Sequence, residues 1–182
     1  MLTEMQDDIW KRNEDISPIF KPNLTDSKIV NKILKHEGTP RALQTFDKYK
    51  SRLSDYAYWH VLGNLWVSSS DNPIEVWLKL FNSNKAHRLQ SLMKPSEFEA
   101  YNNLQDEVRV YRALRSEDDG GLSFTLDLKF ALKFAKARGR LAVGEYLLSK
   151  EGVYALFLRR GESEVLVLNK RHLTKTGIMK IE

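Results

Sequence analysis

Between residues 110 and 168 the chain sets out, in order, an arginine, a pair of hydroxyls and a pair of carboxylates. Arg112 lies in Val110-Tyr111-Arg112-Ala113-Leu114, and Ser123 and Thr125 flank Phe124 in Gly121-Leu122-Ser123-Phe124-Thr125-Leu126-Asp127. Glu162 and Glu164 lead into Val165-Leu166-Val167-Leu168. A guanidinium offers a planar fork of donors that matches phosphate oxygens better than an ammonium does. Hydroxyls can hold a ribose, and a carboxylate can stabilise the positive charge that develops at a sugar carbon as its glycosidic bond breaks. The set therefore suits gripping a dinucleotide and cleaving its glycosidic bond.

Each element has a plainer reading when taken singly. An arginine closing a strand-like segment is most often a surface residue. Ser123 and Thr125, two apart, share one face of a strand with Phe124 on the other, as in any polar edge strand. Against that plain reading, a functional one has Ser123 bonding a ribose hydroxyl or orienting a carboxylate, with Thr125 bracing the cleft wall. Glu162 and Glu164 share a face by the same rule, and the apolar run after them reads as a strand buried on both faces. Two like charges entering such a strand lose hydration and repel, a cost that cationic or hydroxyl partners in a cleft would offset. Neutralisation by Arg159 or Arg160 in a solvated turn is the alternative.

The elements that must position these residues fall into two groups. In the first hundred residues the apolar positions recur at helical spacing behind start signals at Thr25-Asp26, Thr39-Pro40, Ser54-Asp55, Asp71-Asn72-Pro73 and Lys94-Pro95-Ser96. Trp59, Trp66 and Trp77 fall among apolar neighbours at that spacing and read as core. From about Glu107 the period changes. Val108, Val110, Leu141, Val143, Tyr146, Leu148, Val153, Ala155, Phe157 and the 165–168 run suggest short strands. One helix interrupts them, capped by Asp127 and stopped by Gly139, with Lys129, Lys133, Lys136, Arg138 and Arg140 toward solvent. Asp118-Asp119-Gly120-Gly121 reads as a turn. The expectation is an α+β fold: a helical N-terminal part, residues 1–106, packed on a largely antiparallel C-terminal sheet, residues 107–182, in one compact unit.

Composition narrows the chemistry. The 182 residues carry a net charge of +5, no cysteine and four scattered histidines, which argues against disulfides, a cysteine nucleophile and a metal site. Residues 1–108 hold 14 Lys+Arg against 15 Asp+Glu, a balance of −1, and residues 109–182 hold 15 against 9, a balance of +6. The basic excess thus accompanies the three motifs and fits a phosphate-bearing ligand, nucleic acid or an acidic protein. No apolar run is long enough for a membrane span, and the acidic start lacks the layout of a secretory signal. The simplest expectation is a cytoplasmic protein with no membrane partner. No dehydrogenase or nucleotide-hydrolase glycine fingerprint is present.

Tyr111-Arg112, then Leu122-Ser123-Phe124-Thr125 before a helix with Ala131, Phe134 and Ala135, then Glu162-x-Glu164, resembles the arginine–serine–glutamate class of mono-ADP-ribosyltransferases, in particular its small phage and bacterial members. The resemblance covers roughly residues 107–168. It implies a split sheet with NAD in the central cleft and no metal. Arg112 would hold the NAD phosphates and nicotinamide ribose, and Ser123 would bond that ribose and position Glu164. Thr125 would shape the same strand. Glu164 would bind the ribose 2′-hydroxyl and stabilise the oxocarbenium-like centre. Glu162 matches the position that activates the acceptor, where glutamate goes with arginine targets. Phe134, or in second place Phe130, would wall the nicotinamide. Two departures stand out: Ala113 replaces the usual glycine after the first motif, and Phe124 occupies the middle of the second. The implied activity is transfer of ADP-ribose from NAD to a macromolecular acceptor, a protein first and nucleic acid second. A NAD glycohydrolase, a non-catalytic nucleic-acid or protein-binding module on a degraded transferase fold, and a phage or bacterial structural protein in which the glutamate pair is incidental are the competing expectations.

Overall fold

The computed structural model describes residues 15–68, 73–116 and 120–181. Met1–Asp8, Asp71-Asn72 and Asp118-Asp119, all used above, lie outside the described residues. Contacts divide the chain into two compact units, Met1–Phe98 and Glu99–Glu182. The division falls inside a helix, eight residues before the last residue of the helical region read from the sequence.

The first unit is helical. Its helices are α1 (Leu24–Leu34), α2 (Pro40–Tyr49), α3 (Asp55–Ser68), α4 (Ile74–Phe81) and α5 (Arg88–Leu92); α6 (Pro95–Asn102) crosses into the second unit. Asn23 caps α1, its Oδ1 accepting from the amides of Thr25 at 2.8 Å and Asp26 at 3.2 Å. The helix therefore starts at Leu24, two residues earlier than Thr25 as its cap would place it. Asp26 instead turns inward, 4% exposed, and accepts the Ser54 amide at 2.9 Å where α3 begins. Ser54 Oγ accepts the Ala57 amide at 3.2 Å, the N-cap role its position suggested. Trp59 and Trp77 are core, 0% and 4% exposed, and Trp66 meets Trp77 edge-on at 5.0 Å between centroids.

The second unit is built on one antiparallel sheet of six strands: β1 (Glu107–Leu114), β2 (Ser123–Thr125), β3 (Ala142–Ser149), β4 (Ala155–Phe157), β5 (Glu164–Leu166) and β6 (Leu173–Lys180). The order is β4-β5-β2-β1-β3-β6, and the sheet does not close. The long strands β1, β3 and β6 pair along their length, and the short strands β2, β4 and β5 pair among themselves. The two halves meet at one register pair, Tyr111 opposite Thr125. β6 was not anticipated: it is an edge strand with a mostly exposed, Lys- and Thr-rich sequence, so it carries no buried alternation to read. Leu141, expected in a strand, is 83% exposed just before β3.

One helix, α7 (Leu128–Ala137), lies against the sheet. Leu128, Ala131, Leu132 and Ala135 fall at helical spacing on one face and pack on Tyr111, Ala113, Val143 and Met179. Asp127 Oδ1 caps it, accepting from Lys129 N at 2.8 Å and Phe130 N at 3.2 Å. At the other end Gly139 takes φ 59°, and the amides of Gly139 and Arg140 return to the carbonyls of Lys136 at 3.2 Å and Ala135 at 2.8 Å. That double return is the Schellman ending, which needs a left-handed residue at Gly139. No helix among the described residues is long and apolar enough to cross a membrane.

The cap gives the first test. Asp127→Ala should cost about 1 kcal/mol, lowering the melting temperature by about 2–4 °C, as read by thermal unfolding. A variant as stable as the parent would show that Asp127 does not cap α7.

Candidate functional site

The cleft of interest opens where β1 and β2 part company. It encloses about 190 Å³ and is lined by Tyr111, Arg112, Ala113, Arg115, Ser123, Phe124, Thr125, Phe130, Ala131, Phe134, Arg140 and Glu162. Of the residues singled out from the sequence, Arg112, Ser123, Thr125, Phe134 and Glu162 reach this cleft. Glu164 does so through Ser123.

Ser123 pairs with Leu166 and Thr125 with Glu164 across β2 and β5, so all four side chains share the face on which Tyr111 stands. Ser123 Oγ donates to Glu164 Oε1 at 2.6 Å, a diagonal bond between the strands. A carboxylate accepting a short hydroxyl bond is held in one orientation. Val165, Leu166 and Val167 beyond it are fully buried, as the apolar run foretold. The ladder extends past both strand ends, with Val167 N donating to Leu122 O at 2.9 Å and Leu126 N to Ser163 O at 3.0 Å. Thr125, 7% exposed, accepts the Asp127 amide on Oγ1 at 3.1 Å. It thereby fixes the turn from β2 into α7.

Arg112 stands inside β1, which continues to Leu114, rather than at the strand's end. Tyr111 and Ala113 face α7, so strand alternation starts Arg112 from the opposite face, beside Phe124 and Tyr146. Its Cζ lies 5.8 Å from the Phe124 ring centroid, and Nη1 donates to the Ser123 carbonyl at 2.5 Å. The guanidinium occupies the space where a β-carbon on Gly121 would stand, so only glycine there leaves it room. The residue that binds Glu164 by its side chain thus receives Arg112 on its backbone.

Glu162 sits just before β5 in extended backbone and is half-buried. Burial pushes its carboxyl above the ordinary 4.5, and the Arg160 charge partly opposes that rise. Phe134 is 41% exposed at the mouth, with Phe130 stacked 6.2 Å away at 21° and Arg138 Cζ 5.5 Å from its centroid. Both aromatic candidates therefore border the cleft.

Arg140, expected on the solvent side of α7, is instead half-buried and lines the cleft. It follows Gly139, and the left-handed turn there redirects the chain. Gly121 also escaped a functional reading, since a turn glycine carries no sign of the side chain it admits. No family model, curated protein or solved structure matches this chain.

Two outcomes follow from this geometry. Gly121→Ala displaces only the flexible end of Arg112, so stability should change by less than about 2 kcal/mol. Arg112 should nevertheless become more reactive toward phenylglyoxal, as mapped by peptide mass. For Glu162 the raised pKa means the folded state holds its proton to higher pH than the unfolded chain. Stability contributed by the protonated form is present below the ordinary carboxylate value and is lost as pH rises through the higher folded value. Glu162→Gln should therefore melt higher than the parent at pH 7 by a margin that shrinks toward pH 4; a margin growing toward acid would contradict the burial of this group.

Proposed function

We propose that the chain is a NAD-dependent mono-ADP-ribosyltransferase, with a sheet of that family's split type. The observation that carries the reading is the 2.6 Å bond from Ser123 Oγ to Glu164 Oε1, on the strand pair beside the anchored guanidinium of Arg112. A carboxylate oriented by a serine whose carbonyl anchors an arginine is what glycosidic cleavage of a dinucleotide needs.

In this reading Arg112 holds the NAD phosphates and nicotinamide ribose, and Ser123 steadies that ribose and Glu164. The bond between ribose C1′ and the nicotinamide nitrogen breaks with its electron pair going to the ring, which leaves neutral. Glu164 bonds the ribose 2′-hydroxyl and stabilises the positive charge left at C1′. Phe134 walls the nicotinamide. The acceptor nitrogen then bonds C1′, and its proton passes to Glu162, whose upward-shifted pKa makes it a better base than an ordinary carboxylate. An arginine side chain of a protein is the acceptor that suits this arrangement. The cleft, about 190 Å³, is smaller than the roughly 300–1,000 Å³ that swallow a ligand whole. It therefore takes the nicotinamide ribose end, with the adenylate beyond it.

The test is incubation with adenylate-labelled NAD and bacterial lysate beside a Glu164→Gln control. Label should appear on a discrete protein band, and nicotinamide release should fall at least about 100-fold in the control with its melting temperature kept. Undiminished release in the control would remove Glu164 from the chemistry. Free ADP-ribose without a labelled band would make the protein a NAD glycohydrolase. No NAD consumption, together with salt-dependent binding to nucleic acid, would favour a non-catalytic module.

A further inference from the structure

Lys170 lies outside the cleft lining and outside every motif above, yet it touches the two groups that seat Arg112. Its Nζ donates to the Gly121 carbonyl and lies 5.3 Å from the centroid of Phe124. The same ring has the Arg112 guanidinium carbon at 5.8 Å, and Gly121 is the residue whose missing side chain makes room for that guanidinium. The backbone from which Lys170 reaches is fixed on both sides. Before it, Val167 N donates to Leu122 O at 2.9 Å. After it, the turn Lys170–His172 is capped by Asn169, whose Oδ1 accepts the Arg171 amide at 3.1 Å, and His172 Nδ1 lies 3.1 Å from Ser149 Oγ. A lysine brought to the ring that an arginine also approaches meets like-charge repulsion. The carbonyl and the π face offset it.

We infer that Lys170 is a positioning residue for Arg112: it pins Gly121 and the Phe124 ring, and so holds the guanidinium on the Ser123 carbonyl. Bonds thus run from Lys170 to Gly121 and from Arg112 to Ser123 to Glu164, with the glycine packed on the guanidinium between them. The kinetic part of this inference rests on the proposed transferase reading; the placement of Arg112 does not. Under that reading Lys170 acts on ligand binding through Arg112 and leaves bond cleavage at Glu164 alone.

The experiment compares the parent, Lys170→Met, Lys170→Gln and Lys170→Arg in the full chain. Phenylglyoxal labelling at Arg112 is mapped by peptide mass, and NAD turnover is measured beside it. Lys170→Met should label at Arg112 several-fold faster and raise KM for NAD by about tenfold with kcat within about threefold. Lys170→Arg, which keeps a cationic donor, should restore both. Lys170→Gln keeps a polar donor without the charge and serves if the methionine variant does not fold; it should fall between parent and methionine variant. Arg112 labelling unchanged in the Met and Gln variants would overturn the inference, as would a loss confined to kcat or a failure of Lys170→Arg to rescue. A parent that consumes no NAD would sink the transferase reading alone, and Arg112 labelling would still decide the role of Lys170.

Discussion

The single pairing of Tyr111 with Thr125 is the constraint on which the second unit turns. β1 spends its hydrogen bonds on β3 along the other edge, while β2 is three residues long and bonds chiefly to β5. Had β2 continued along β1, a ladder would fill the space where the cleft opens. Because it stops, Arg112 and Ala113 on one side and Ser123 on the other border an open seam, roofed by the aromatic side chains of α7. The helix can lie close to the sheet there because Ala131 and Ala135 present little more than a methyl group each. The cleft thus opens beside a strand only three residues long.

Within that seam the polar groups are committed to one another before any ligand enters. The Glu164 carboxylate is oriented by a hydroxyl from the neighbouring strand, and the Arg112 guanidinium by a main-chain carbonyl of the same residue. Such prior commitment lowers the reorganisation needed when charge develops nearby. Arg112 rises from the face of Phe124 and Tyr146 and Glu164 from the face of Tyr111, and Ser123 bonds the first by its carbonyl and the second by its hydroxyl. The cleft itself is dominated by cations, with Arg112, Arg115 and Arg140 facing Glu162. That balance favours an anionic ligand by field as well as by contact.

Much of the framework was legible in the residues. The caps at Ser54 and Asp127, the stop at Gly139 and the burial of Trp59 and Trp77 follow from local rules, whereas Trp66, read as core with them, is only partly buried. The alternation of Ser123, Phe124 and Thr125 and the burial of Val165 to Val167 likewise follow from strand geometry. Where local signals conflicted, packing chose. Asn23 displaced Thr25 at the start of α1, leaving Asp26 to serve the Ser54 amide twenty-eight residues away. Strand β6 was hidden because an exposed edge asks for no hydrophobic pattern.

What the sequence determined by itself is the set of chemical groups and, for Ser123, Thr125 and the helix after Asp127, the faces they occupy, since each of these lies on an element whose period is written locally; Glu162 falls before β5 begins. Tertiary structure alone decided which of them meet. The Ser123–Glu164 bond joins residues forty-one apart, and the Lys170–Gly121 bond residues forty-nine apart. Neither leaves a trace in the pattern around its ends. Contacts at that range depend on strand order and register, which are set by the burial of the whole sheet and not by the residues that end up touching.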